Sequence, residues 1–442
     1  MVRQMQGKRD INFGELKLRE IYSKFGLLSN PFPVTGIAAE DPGFAPFDEL
    51  ITKELTAFVQ DTYTRQFFGG FIIIGEYGFG KTYILKHLER RINESLMMRG
   101  EDRACAIYVM NPRSSADQFI TSILESFGMH NFLVMAWHLV TERLAEELRI
   151  KGEALAKELT PKPMQLNFFD TQESRKPFVL RQDLLSNPMK FIDEAYRAKV
   201  NMARIAKFAE DTFLPIFKVP DIAKGLAALS HFGEADSLMQ WVEWLNYTKF
   251  KRSIKKDISE QEFFHAVMTV FRRNGYRHVY VLVDEFEDIR ELGKRERMEY
   301  LSRLRDIIEY NLEYFSIVLC VKRDAWDSIA EAHPAFVERF ARGAELKDLS
   351  VEQAKSMIVE YLASVADKAT KKSDDPLYPF TQEAVEEIVR RSAGVPRVIL
   401  ELCYILMEYA AQQNKIIDRE MARQVDSIRE SILFEKRRQM SL

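Results

Sequence analysis

Four continuous apolar runs organise the chain: Phe71-Ile72-Ile73-Ile74, Ala104 to Met110, His278 to Val283, and Phe315 to Val321. They do not alternate with polar residues, which is the pattern of central strands covered on both faces. Segments of helical spacing lie between and around them: Glu49 to Thr62, Ser115 to Phe127 closed by Gly128, and a charged stretch from Gly293 to about Tyr310. Residues 16–30 also read as a short helix, ahead of Asn30-Pro31-Phe32-Pro33 and a stretch rich in Pro and Gly up to Pro46-Phe47. This alternation predicts an α/β domain with a parallel sheet between two helical layers.

The strand signal stops between Met129 and about Phe271, where the pattern is helical apart from a loop through Pro161 and Pro163 to Lys176. Beyond the last apolar run, Ala335 to Arg342 reads as a short helix, and Glu345 to Leu349 leads out of the sheet. Ser350-Val351-Glu352-Gln353 has the form of a capping box, in which a hydroxyl and a Gln side chain satisfy the first free backbone N–H groups of a helix. Further helices are expected near Thr381–Arg391, Val395–Gln412 and Arg419–Arg437, forming a C-terminal bundle.

The polar residues between these elements carry the chemistry. Directly after Phe71–Ile74 stand Gly75, Glu76, Tyr77, Gly78, Phe79, Gly80, Lys81 and Thr82, followed by helix-like Tyr83 to Leu88. Strand, glycine turn and helix in this order are the setting of a phosphate-binding loop. The glycines let backbone N–H groups curl around phosphate oxygens, and the helix N-terminus adds positive potential. Lys81 reaches the β- and γ-phosphates, while Thr82 offers its hydroxyl to Mg²⁺. The alternative for the same pattern is a structural glycine turn. His278–Val283 ends in Asp284-Glu285, where Asp284 would hold Mg²⁺ through water and Glu285 would polarise an attacking water. An acidic pair after a strand also serves as a helix cap, and the phosphate loop is what favours the chemical reading.

With 442 residues and 46% hydrophobic content the chain can bury a large core, and its length suits two or three domains, or one with a large insertion. A net charge of −3 gives no global signature of a nucleic-acid binder, so DNA contact requires a local basic surface. Trp241 and Trp244, followed by Lys249, Lys251, Arg252, Lys255 and Lys256, are the densest basic-aromatic stretch; a solvated helix end beside core tryptophans is its alternative reading. Cys105, Cys320 and Cys403 sit apart in apolar stretches and read as buried free thiols, with no metal site. No run approaches the roughly 18 apolar residues of a membrane span, and the first residues lack an apolar signal core. A cytoplasmic protein without membrane association is expected.

Taken together, these motifs resemble the AAA+ ATPases, most of all the branch of origin-recognition initiators and transposon or secretion ATPases, over roughly 15–128 and 262–425. The stretch from Phe232-Gly233-Glu234 through Trp244-Leu245 is also similar to ATPases of phage-defence loci. The resemblance implies that Phe25-Gly26-Leu27 and Asn30-Pro31-Phe32 help enclose adenine, and that a polar sensor follows Val321, where this chain has Lys322 or Arg323 rather than Asn, Ser or Thr. It places an arginine finger for a neighbouring subunit's nucleotide at Arg339, with Arg342 as the alternative, and a second sensor at Arg397 in Gly394-Val395-Pro396-Arg397. A local ion pair of Arg339 with Glu338 or Glu345 is the competing reading. The division it implies is an N-terminal segment 1–48 contributing to the nucleotide site, core halves 49–128 and 262–345 around a helical insertion 129–261, and a helical lid 346–442. Initiators usually continue into a DNA-binding winged helix, and little chain remains after Val425 for one.

The function this implies is an ATP- and Mg²⁺-dependent ATPase acting as an assembly-dependent switch or remodeller, with self-association, DNA as the target and a protein partner at the insertion. The contrasting reading is a signalling module that holds nucleotide as a lock. A small-molecule kinase is disfavoured, because the second half resembles a lid and finger rather than an acceptor pocket.

Overall fold

The computed structural model describes residues 21–34, 49–96, 102–151, 154–155, 202–217, 219–228, 259–367 and 372–430. The expected loop through Pro161 to Lys176 and the basic-aromatic stretch from Trp241 to Lys256 lie outside these residues. Two compact units emerge: Met1–Leu55 with Ile74–His87 and Ala344–Leu442, and Thr56–Ile73 with Leu88–Gly343.

The second unit is built on a five-stranded sheet in the order β2-β3-β4-β1-β5. Its strands are β1 (Gly69–Ile74), β2 (Arg103–Val109), β3 (Tyr276–Val283), β4 (Phe315–Val321) and β5 (Arg342–Glu345), and the final residues of β1 and β5 belong to the first unit. β2 and β3 run parallel with Val109 opposite Val283, and β3 and β4 run parallel with Val283 opposite Leu319. Every residue of β4 is buried and so are the last six of β3, as continuous apolar runs require. Helices α1 (Glu49–Arg65), α2 (Lys81–Leu96), α3 (Ala116–Phe127), α4 (Met129–Lys151), α5 (Met202–Phe213), α6 (Pro220–Ala228), α7 (Glu260–Arg273) and α8 (Lys294–Tyr310) accompany these strands in the chain. The fold is α/β, with the central strands β2, β3 and β4 parallel, as the apolar runs predict.

Two expectations for this unit need correction. The helix expected over Ala335–Arg342 is only α10 (Pro334–Val337), and Arg342 instead opens β5. Phe336 and Phe340 still pack at 5.1 Å although the chain leaves the helix between them, and the Leu346 N–H then donates to the Ile74 carbonyl at 2.7 Å. Ahead of it, α9 (Arg323–Ala332) is a helix that the sequence reading left unassigned.

In the first unit a bundle of α11 (Val351–Ser364), α12 (Gln382–Ser392), α13 (Pro396–Gln413) and α14 (Arg419–Arg423) surrounds its own apolar core. The capping box at α11 is present: the Ser350 hydroxyl accepts from the Gln353 N–H at 3.3 Å, and the Gln353 side chain returns the bond to the Ser350 N–H. The helix expected over Arg419–Arg437 breaks at Gln424 and resumes over 425–430; the remainder is outside the described residues. The helix expected over 16–30 is also corrected. Only 21–23 is helical among its described residues, the chain turns through Gly26 at φ 73°, and Leu27 bridges Ala366 antiparallel. Tyr22, Phe25, Leu27 and Phe32 complete the bundle core instead, with Phe32 edge-on to Phe380 at 5.7 Å. Truncating a buried Phe of this kind to Ala costs roughly 3–5 kcal/mol.

Candidate functional site

The phosphate loop follows from Ile74, the last residue of β1. Gly78 and Gly80 take φ 88° and 91°, left-handed values that side-chain-bearing residues avoid, and the Phe79 N–H donates to the Glu76 carbonyl at 3.3 Å. The chain then enters α2 at Lys81, and the first turn of that helix contains no acidic residue. The positive end of the helix dipole is therefore not offset by a carboxylate of its own first turn. The Lys81 ammonium folds back on the loop and donates to the carbonyls of Gly75 at 2.6 Å and Glu76 at 3.3 Å. Thr82 and Tyr83 stand in the same first turn of α2, and the Tyr83 ring stacks on His87 at 6.2 Å.

Within the same unit, Arg397 meets this loop. Its backbone N–H donates to the Gly78 carbonyl at 3.1 Å, its guanidinium lies 4.7 Å over the Tyr77 ring, and one of its N–H groups bonds the Tyr77 hydroxyl. A Cβ at Gly78 would stand 3.2 Å from the Arg397 Cβ and 3.3 Å from Val395, so glycine permits this approach as well as the turn. Pro396 opens α13 at its first position, where a missing N–H costs nothing, and Arg397 consequently projects from the first turn. The expected lid arginine is thus joined to the loop, and its partner Tyr77 is a residue whose role the loop pattern does not announce.

In the other unit, the acidic strand end is tightly ordered. Asp284 is 2% exposed, its N–H donates to the Val109 carbonyl at 2.9 Å, and its two carboxylate oxygens accept from the Tyr108 hydroxyl and the Glu285 N–H, each at 3.0 Å. Burial first, and the Asp284 charge second, push the Tyr108 phenol far above its ordinary range, so it stays a donor. Tyr108 went unnoticed in the sequence, since its place beside Asp284 depends on the β2–β3 register. Glu285 is exposed and sits at φ 49°, ψ 37°, a left-handed conformation that is uncommon for a residue with a side chain. Phe286 fixes the following turn by stacking on Phe336 at 5.9 Å. Asp288 accepts from the Asn111 amide, and burial, assisted by Glu291, raises its carboxyl above the usual range.

The remaining expected residues also find partners. Lys322, at the end of β4, stands 3.8 Å from Glu287, and Arg323 begins α9. Arg339 pairs with Glu309 of α8 at 2.6 Å, so neither Glu338 nor Glu345 is its partner, and Arg342 pairs with Asp61 of α1 at 2.8 Å. The Arg339 carbonyl lies 2.1 Å from where a Cβ at Gly70 would stand, which locates it at the start of β1, the strand whose other end leads to the loop. The three cysteines are buried free thiols, and burial pushes the Cys105 thiol up to about 12. Among the described residues no cluster of His, Cys, Asp and Glu forms a metal site of its own. Taken separately, the hydroxyl of Thr82 in the loop and the carboxylate of Asp284 at the strand end are hard oxygen donors of the kind that Mg²⁺ takes.

No family model matches the chain, and no curated protein matches it. Solved structures do. The chain is similar to the ORC2 protein of Aeropyrum pernix in its ADPNP–ADP complexes, with 9% identity over 89% of this chain and 70% of that one, at a TM-score of 0.49. It is similar to Cdc6p of Pyrobaculum aerophilum, with 10% identity over 86% and 66% of the two chains and a TM-score of 0.40. Drosophila ORC bound to DNA matches at 13% identity over 96% and 70%, with a TM-score of 0.42. No single helix among the described residues is long and apolar enough to cross a membrane.

Proposed function

We propose that the chain is an AAA+ ATPase of the origin-recognition-like branch, working as an assembly-dependent switch or remodeller in a DNA-related process. The observation that carries this reading is the bond between lid and loop: Arg397 is held by the Gly78 carbonyl, the Tyr77 ring and the Tyr77 hydroxyl. A lid arginine fastened to the phosphate loop turns the charge at that loop into lid position.

In this reading the loop N–H groups and Lys81 bind the phosphates, for which the Lys81 ammonium exchanges its carbonyl partners for phosphate oxygens. Thr82 would offer its hydroxyl to Mg²⁺, which when bound would supply charge neutralisation at the β- and γ-phosphates. Asp284 keeps its orientation through Tyr108 and the Glu285 N–H. Glu285, exposed at the strand end, takes the proton of the attacking water. Arg339 acts in trans on a neighbouring subunit's nucleotide. Its pair with Glu309 involves a half-exposed arginine and contributes only about 0–1 kcal/mol, so assembly can replace it at little cost. The segments 1–48, 49–128, 129–261, 262–345 and 346–442 are the functional division that goes with this assignment.

The test is the ATPase rate measured against protein concentration, with and without DNA. Specific activity that rises with concentration supports an assembled ATPase. Tight nucleotide retention without turnover at any concentration would replace it with the nucleotide-locked signalling module, a reading that Lys322 favours by standing in an ion pair with Glu287 where a polar sensor is expected.

A further inference from the structure

The N-terminal end of the sheet, where β2, β3 and β4 begin, is rich in arginine and aromatic side chains that the ATPase reading does not use. Three guanidinium groups stand over tyrosine rings there: Arg103 over Tyr276 at 4.7 Å, Arg272 over Tyr314 at 4.0 Å, and Arg277 over Tyr63 at 5.2 Å. Backbone and side-chain bonds knit these pairs into one surface. The Arg103 N–H donates to the Gly275 carbonyl at 3.1 Å, the Tyr314 N–H to Gln66 at 3.0 Å, the Val279 N–H to the Tyr314 carbonyl at 2.9 Å, and Arg277 Nε to the Tyr63 carbonyl at 3.2 Å. Arg273 stands exposed beside Arg272 at the end of α7. Among the described residues Asp102 stands 3.4 Å from Arg277 and Glu313 adjoins Tyr314, while Arg272 and Arg273 end α7 side by side and exposed in a chain whose net charge is −3.

Two further rings on this edge are solvent-facing: Phe67 is 62% exposed and Tyr310 46%. The Phe68 N–H donates to the Leu312 carbonyl at 2.8 Å, and Phe67 bridges Glu313, which places Phe67 against the strand-4 end of the arginine surface. A stacked guanidinium is ordered before any ligand arrives and still presents N–H groups at its edge, which suits phosphate oxygens. Exposed rings offer faces on which unpaired bases stack, whereas a duplex keeps its bases stacked on one another. An acidic protein would use the arginines and leave the rings uncovered.

We propose that this end of the sheet binds single-stranded nucleic acid, with Arg272, Arg273 and Arg277 on the phosphates and Phe67 and Tyr310 under the bases. The proposal deepens the DNA-related function above and rests on it for the class of partner, but contact at this edge requires neither nucleotide nor hydrolysis.

Fluorescence anisotropy of the full chain with a labelled oligo-thymidine of about 20 nucleotides tests it, since such a strand covers one site and has no secondary structure. Binding is expected to weaken steeply between about 50 mM and about 200 mM salt. Arg272→Ala with Arg273→Ala should lose about tenfold or more in affinity, and replacement of both by Lys should recover part of it. Phe67→Ala should lose about tenfold at unchanged thermal stability, because the ring is exposed and its loss removes one stacked base. Lys81→Ala should bind the strand as the wild type does, which separates failure of this site from failure of the ATPase assignment. Absence of binding at low salt, full affinity in the double arginine variant, or a duplex bound as tightly with Phe67→Ala silent would each overturn the proposal. So would capture of an oligo-glutamate peptide in place of the oligonucleotide, which would assign the surface to an acidic protein.

Discussion

The phosphate loop with its lid arginine and the acidic end of β3 reach their geometry by different routes. In the loop, most of the order is local: two glycines at positive φ, a helix that begins at Lys81, and an arginine supplied by the start of α13. At the acidic end the order comes from neighbours in the sheet. Asp284 is fixed by Tyr108 of the adjoining strand and by the Val109 carbonyl, and Glu285 is held in a left-handed conformation by the turn that buries Phe286. The loop itself is written in one stretch of sequence, while its arginine and the acidic end depend on contacts between distant segments.

This difference separates the effects of substitutions. The largest is expected at Arg339, which belongs to neither region. Arg339→Ala should bind ATP normally and hydrolyse about 10³-fold more slowly, and mixing it with Lys81→Ala should restore part of the activity, since an intact nucleotide site can then borrow a neighbour's finger. A mixture that co-assembles by light scattering yet stays inactive removes Arg339 from a trans role. Next is Lys81→Ala itself, which deletes the loop's own cation; calorimetry should register ATP affinity lower by on the order of 100-fold.

Smaller effects probe the lid. Gly394 stands at φ 73°, and a Cβ there would lie 2.8 Å from the Leu349 carbonyl oxygen, so Gly394→Ala should destabilise the chain by about 1–3 kcal/mol in denaturant titration. Unchanged stability would mean that the turn into α13 relaxes freely. Tyr77→Phe keeps the ring under Arg397 and removes only the hydroxyl, so turnover should fall by about tenfold or less while ATP affinity stays close to that of the wild type. A larger loss in Tyr77→Phe than in Tyr77→Ala would refute stacking as the main contact.

The same contrast explains what could be read in advance. Strands, the loop from Gly75 to Thr82, Asp284-Glu285 and the capping box at Ser350 are signalled by residues within a few positions of one another, and each was legible. The pairing of Tyr77 with Arg397 joins residues more than 300 positions apart, and that of Tyr108 with Asp284 needs the β2–β3 register, so neither could be read from spacing. Residues 335–342 have helical spacing because Phe336 and Phe340 face one core, yet the chain turns there to open β5. Likewise the apolar positions of 21–32 are real core positions, but they serve the bundle through a turn and a bridge, not a helix.

The central proposal is that nucleotide affinity resides in the loop and that hydrolysis depends on the exposed carboxylate after Asp284. Glu285→Gln separates the two: ATP affinity and turnover measured on the same preparation should give binding close to the wild type and a rate lower by about 10²-fold or more. Undiminished turnover in Glu285→Gln, with binding intact, would contradict the account.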